Sequence, residues 1–285
     1  MKLALFLLLV GLALRADYVA SRAAAALLKA DKPEEALAAF LELAAGEGSE
    51  FQKSDALEQA ALLCNRLDRP AEAIELARRI PHGPTAKSVE LQLLAERRQW
   101  RQLVDQFGGE DFTVWPDLLI GPASYWRGHA HYALKNAEAA RDDLQRACHY
   151  LLEDNVLGLA FISLGDTYRH QLDDADRALQ AYRQAYQRRN VYKRCQAAMN
   201  AAAILREQGE TDAALAELAV IPLEQVTLPY WRGNLLAAWG ETLAQAGKTA
   251  EASAKFREAL ALEGIPDQVR KTCAEALRKL GGNAQ

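Results

Sequence analysis

The stretch NLLAAWGETLAQAGKTAEASAKFREALALEGIP, residues 234–266, decides the fold. It is rich in Ala, Leu and Glu, which are strong helix formers, and Gly247 interrupts it at a point suited to the left-handed turn that ends a helix. Gly240 precedes this turn, and Ala252 and Phe256 follow it. Small residues on two antiparallel helices let the helices approach closely, and a large residue one turn later fills the remaining gap. The stretch therefore predicts a tightly packed helical hairpin.

The same arrangement recurs along the chain with a nearly fixed period. In the C-terminal half, the small residue of the first helix falls at positions 128, 165, 202 and 240, which are 37, 37 and 38 residues apart. Three weaker units precede them, centred on Ala24, Ala61 and Leu91, and the last has a bulky leucine where a small residue is expected. A constant period of this length is typical of stacked repeats. It predicts seven hairpins over residues 17–263, with a fifteenth helix, Pro266–Leu280, that caps the array.

This pattern resembles the tetratricopeptide repeat, in which a Gly or Ala in the first helix and an Ala followed by an aromatic residue in the second helix hold these places. The resemblance implies an all-α fold, a right-handed α-solenoid of helix-turn-helix repeats whose first helices line a concave groove. The composition agrees with this class, because the best strand candidates, FTVW and VTL, are too short to build a sheet.

A segment rich in helix-breaking residues divides the array. FGGEDFTVWPDLLIGPAS, residues 107–124, contains three glycines and two prolines among large apolar residues. Breakers at this density indicate a non-helical connection, and the apolar residues indicate that it packs against the protein. The predicted organisation is therefore degenerate hairpins over 17–107, a packed connecting loop over 108–123, regular hairpins over 124–263, and a capping helix and tail over 264–285. A flexible linker or a kinked array are the alternatives for this segment.

The first sixteen residues form a separate element. Lys2 precedes twelve apolar residues, 3–14, and Arg15 follows them. A membrane-spanning helix needs about 20 apolar residues, so this run fits an export signal better. We expect a bacterial protein that is periplasmic or secreted. A buried N-terminal helix and an uncleaved membrane anchor through residues 3–14 remain open as alternatives.

Few features of the sequence point to chemistry. The net charge of −4 gives no reason to expect nucleic-acid binding, and no phosphate-binding loop, metalloprotease or nucleophile motif occurs. The four cysteines form no metal-like spacing. His129 and His131 point about 200° apart on a helix and so cannot share a metal ion. We therefore expect no enzyme activity, no metal and no cofactor.

The remaining candidate is a surface that binds a peptide or a partner protein. Carried over position by position, the resemblance implies a groove in the stronger half of the array. Its residues are Tyr125, His129, Tyr132, Ile162, Asp166, Arg169, Gln196, Met199, Arg206, Asn234 and Glu241, together with Ala203 and Ala237. The predicted function is a non-catalytic scaffold or adaptor, exported or tethered to a membrane. The alternatives are a membrane-anchored assembly factor that faces the cytoplasm and an enzyme with a site near residues 107–129.

Overall fold

A computed structural model describes residues 22–282, and all regular secondary structure in that range is helical. The chain divides into two compact units between Leu134 and Lys135. The helices of the first unit are α1 (22–29), α2 (Pro33–Ala45), α3 (Glu50–Arg66), α4 (Pro70–Arg78), α5 (Gly83–Glu96), α6 (Trp100–Phe107) and α7 (Asp117–Ala133). The predicted export signal, residues 1–16, lies outside the described residues.

The second unit contains the more regular repeats. Its helices are α8 (Ala137–Tyr150), α9 (Asp154–Gln171), α10 (Ala175–Tyr186), α11 (Val191–Glu207), α12 (Thr211–Ala219), α13 (Pro229–Gln245), α14 (Thr249–Leu260) and α15 (Asp267–Gly282). Successive helices pack on each other, and first helices also contact the first helix of the next hairpin, as α9 contacts α11 and α11 contacts α13. The predicted capping helix is confirmed as α15, which packs on α13 and α14.

Seven residues with positive φ mark the seven hairpin turns. One such residue lies between the first and second helix of every predicted hairpin, from the α1–α2 turn to the α13–α14 turn. They are Asp31, Asp68, Arg98, Lys135, Asp173, Gly209 and Gly247. Only two are glycines, so five turns adopt a conformation that other residues seldom take. The turn geometry thus follows the period of the repeats more closely than the glycine pattern does.

Close approach between the helices of a hairpin is clearest in the second unit. A methyl group added at Gly165 would lie 2.5 Å from Cε1 of Tyr182, and one added at Gly240 would lie 2.6 Å from Cε1 of Phe256. Both rings are fully buried. These contacts confirm the predicted arrangement, in which a small residue on the first helix leaves room for an aromatic side chain on the second.

The weaker repeats of the first unit use the same principle with less regular residues. Ala24 packs in one cluster with Ala36 and Phe40, as predicted for the first hairpin. In the third hairpin, Leu91 and Leu103 are fully buried in the places of small residues. The second helix of that hairpin, α6, has only eight residues.

The predicted connecting loop over residues 108–123 is wrong in its second half, because α7 already begins at Asp117. Pro122 lies inside α7, where its missing N–H removes one backbone hydrogen bond near the start of the helix. Burial of Ile120 in the same turns stabilises the helix. The connection is therefore residues 108–116, with a short 3₁₀ helix at Phe112–Val114.

This connection packs against the protein, as predicted. The rings of Phe112 and Trp115 are buried, with their centroids 4.7 Å apart. Arg127 of α7 holds the segment through Nη1, which donates to the carbonyl oxygens of Phe107 at 2.9 Å and Glu110 at 2.7 Å. Its guanidinium carbon also lies 3.9 Å from the centroid of the Phe112 ring. One buried arginine thus ties the irregular segment to a regular helix.

Candidate partner-binding surface

Four of the predicted groove residues form a connected polar surface across α9, α11 and α13. We call Asp166, Arg169, Arg206 and Glu241 the first-helix face. Arg169 pairs with Glu207 at 2.6 Å, which links α9 to α11. Arg206 pairs with Glu241 at 2.7 Å, which links α11 to α13. The prediction that these side chains share one side of successive first helices is consistent with these links.

Asp166 connects the first-helix face to the hairpin interior. Its Oδ1 accepts a hydrogen bond from the hydroxyl of Tyr182 at 2.6 Å and one from Nδ2 of Asn200 at 3.1 Å. Burial raises the pKa of the Asp166 carboxyl, while the hydrogen bond from Tyr182 opposes that shift. The carboxylate is therefore fixed in place by α10 and α11.

The charges on the first-helix face largely compensate each other. Both arginines are bonded to carboxylates of the neighbouring helix, and Nε2 of Gln245 donates to the backbone oxygen of Arg206 at 2.8 Å. Ion pairs that are partly exposed contribute little to stability, about 0–1 kcal/mol each. Their consequence lies in the surface they create, which is polar, nearly neutral and ordered by bonds between helices.

A hollow of about 230 Å³ lies at the C-terminal end of this surface. Met199, Asn234 and Glu241, three predicted groove residues, line it together with Ala237. Its opposite wall comes from α15 and includes residues that the sequence did not indicate, Gln268 and Thr272. The period of the repeats could not predict these two residues, because α15 lies outside the repeating hairpins.

Two predicted groove residues are not available to a partner. Ile162 is 2% exposed and Tyr125 is 6% exposed, so both belong to the packed interior. Side chains one helical turn apart on a first helix can differ completely in burial, since the neighbouring helices cover part of the same face. The prediction that these two side chains line a groove is wrong.

The other predicted residues differ in their surroundings. Gln196 of α11 is half-buried, as are His129 and Tyr132, which belong with Tyr125 to α7 in the first unit. The rings of Tyr125 and His129 lie with centroids 4.8 Å apart. Burial raises the pKa of the Tyr125 hydroxyl to about 12 and lowers the pKa of His129 below its usual value.

The described range contains histidine, cysteine and acidic side chains, the residue types that most often take part in metal binding or catalysis. No cluster of three or more His, Cys, Asp or Glu side chains that could hold a metal ion occurs within residues 22–282. The four cysteines are free thiols, and burial raises the pKa of Cys148 to about 12. Such a thiol is protonated at neutral pH and is a poor nucleophile. No helix in the described part of the chain is long and apolar enough to cross a membrane.

The hairpins, turns and close-packing glycines define the fold as that of tetratricopeptide-repeat proteins. No family model matches the sequence, and no curated protein matches it at a significant level. The chain is similar to the solved structure of a tetratricopeptide repeat protein from Parabacteroides merdae, with 12% identity and a TM-score of 0.51. That match covers 92% of this chain and 99% of the other.

Two further solved structures show the same fold. The C-terminal part of a repeat protein from Cytophaga hutchinsonii has 14% identity and a TM-score of 0.55, with 88% of this chain and 98% of that chain covered. The Cut9–Hcn1 hetero-tetramer of the APC/C has 15% identity and a TM-score of 0.55, with 89% of this chain and 48% of that chain covered. At these identities the likeness establishes the fold alone.

Proposed function

We propose that the protein is a non-catalytic scaffold that binds a peptide segment of a partner protein on the second unit. The observation that carries this proposal is the first-helix face, where Asp166, Arg169, Arg206 and Glu241 link three first helices. The hollow lined by Met199 and Asn234 continues this surface. Bonds between the helices hold the surface in its binding form, which limits the entropy lost when a partner binds.

The chemistry of this surface suits an extended peptide without strong net charge. The arginines are already paired with carboxylates, so a highly acidic segment would compete with existing ion pairs. The hollow of about 230 Å³ has room for a side chain of the partner. Met199 is a flexible apolar contact there, and the amides of Asn234 and Gln268 offer hydrogen-bonding groups on the walls.

Substitution in the hollow tests this proposal. The partner is first identified by affinity capture with residues 17–285, and its affinity is then measured by calorimetry. Met199→Arg places a long charged side chain in the hollow, and we expect it to weaken binding at least about tenfold, as for a central contact of an interface. The control is Ala254→Arg, an equally charged change at an exposed position of α14. Equal affinities for both variants would exclude the hollow as a contact.

We also propose that residues 1–16 direct export of the protein, so that the helical repeats act outside the cytoplasm. Lys2, the twelve apolar residues 3–14 and Arg15 support this proposal. A reporter enzyme that is active only after export, fused to the C-terminus, should be active in cells of a bacterial host. A silent reporter, together with an active cytoplasmic reporter at the same position, would favour the assembly factor that faces the cytoplasm.

A further inference from the structure

The first unit contains an apolar pocket that the period of the repeats does not predict. It lies at the N-terminal ends of α3, α5 and α7 and has a volume of about 670 Å³. Its apolar wall is formed by Phe51, Pro81, Pro116, Leu118 and Leu119. Phe51 is 81% exposed and Leu118 is 69% exposed, so no described part of the chain covers them. Large apolar side chains left open at a concave site are typical of interaction surfaces.

One side of the pocket is acidic. Glu50, Asp55 and Glu58 of α3 all line it, and no hydrogen bond or ion pair within residues 22–282 involves the carboxylate of Asp55 or Glu58. Burial raises the pKa of Glu58, and the nearby charge of Asp55 raises it further. Glu58 is partly buried and Asp55 is exposed beside it, and a cation would stabilise two neighbouring carboxylates of this kind.

The pocket's own basic candidate does not supply that cation. His82 lines the pocket, but its Nδ1 accepts the backbone N–H of Thr85 at 3.3 Å and lies 2.8 Å from the Thr85 hydroxyl oxygen. The ring thus caps the start of α5 rather than pairing with α3. None of the described side chains that line the pocket therefore supplies the cation, which leaves this charge to a bound molecule.

We infer that this pocket binds a segment of a partner protein that carries a bulky apolar side chain close to a lysine or arginine. The apolar side chain fills the space between Phe51 and Leu118, and the cation reaches the carboxylates of Asp55 and Glu58. Pairing a buried apolar anchor with a charged contact is a common basis of specific recognition. An acidic segment would be repelled by α3, which distinguishes this pocket from the nearly neutral first-helix face. The inference is independent of the peptide surface proposed on the second unit.

A selection from a random peptide library displayed on phage tests this inference. The full chain is the bait, and the variant with Phe51→Ser and Leu118→Ser is the counter-selecting bait. Both side chains are largely exposed, so the variant should keep the melting temperature of the wild-type protein. Peptides that bind only the wild-type protein should combine Leu, Ile, Phe or Trp with Lys or Arg within a few positions. The control variant is Leu152→Ser, which changes a leucine of the second unit that is 79% exposed. This variant should bind the selected peptides as tightly as the wild-type protein does.

The affinity of one selected peptide then tests the acidic side. The variant with Asp55→Asn and Glu58→Gln should bind it about tenfold or more weakly, and added salt should weaken binding to the wild-type protein more than to the variant. Three results would overturn the inference. They are the absence of any peptide that depends on the pocket, selected peptides without Lys or Arg, and self-association of the wild-type protein that the Phe51→Ser and Leu118→Ser changes abolish.

Discussion

Phe256→Ala is expected to lower the free energy of unfolding of the second unit by about 3–5 kcal/mol, the range for removal of a buried aromatic ring. Phe256 is fully buried in α14, and its ring fills the space opposite Gly240 of α13. Leu236, Leu243 and Val269 belong to the same cluster. Because Gly240 has no side chain that could move into the cavity, the site cannot collapse easily. Urea unfolding followed by circular dichroism at 222 nm measures this change.

Phe51→Ala is the matched control for this loss. This substitution also removes a phenylalanine ring, but Phe51 is 81% exposed. The free energy of unfolding should therefore change by no more than about 0.5 kcal/mol. A small effect of Phe256→Ala, comparable with that of the control, would mean that the ring does not fill the contact between α13 and α14. The explanation of the hairpin by a small residue opposite a large one would then fail.

Gly165→Leu is expected to destabilise the second unit by about 3 kcal/mol, at the upper end of the range for overpacking. The new Cβ would lie 2.5 Å from Cε1 of Tyr182 and 2.9 Å from its Cζ. The Tyr182 ring is fully buried, and its hydroxyl donates to Oδ1 of Asp166 at 2.6 Å. The ring can therefore move only by breaking this partly buried hydrogen bond. Thermal and urea unfolding of the variant should both show the loss.

A pair of alanine substitutions in the same helix separates the clash from helix propensity. Alanine stabilises a helix by about 1 kcal/mol relative to glycine when nothing else changes. At Gly158 the added methyl would meet Cγ of the Arg188 side chain at 3.3 Å, which can adjust, so Gly158→Ala should be neutral or stabilising. Gly165→Ala should be destabilising. Stabilisation by both substitutions would contradict the close approach of α9 and α10.

The fold was predictable because the close contacts are made by few residue types at a constant spacing. Gly165 and Gly240 with their aromatic partners fix the pairing of helices, and Ala24 shows the same role in a weaker repeat. The start of α7 was not predictable, since Gly121 and Pro122 signal a break that burial of neighbouring side chains overrides. The positive φ of the non-glycine turn residues was also not predictable, because nothing about Arg98 or Lys135 as residue types favours that conformation.

The candidate surfaces were predictable to a smaller extent. The position of a residue within a repeat predicts which side of its own helix the side chain lies on. This was sufficient to predict that Arg206 and Glu241 lie on the same side of neighbouring first helices. The position within a repeat does not predict how much neighbouring helices bury a side chain, and Ile162 is buried for this reason. It also does not predict binding sites formed by residues outside the repeating positions. Examples are the side of the hollow that Gln268 of α15 lines and the pocket between α3, α5 and α7.

The central claim is that the partner binds on the first-helix side of the second unit. Site-specific photo-crosslinking tests it most directly, with the photoreactive group placed at Met199 in the hollow or at exposed Ala254 on α14. After irradiation in cells of the source organism, we expect a discrete crosslinked product from position 199 and none from position 254. Crosslinking from position 254 alone, with none from position 199, would contradict the claim.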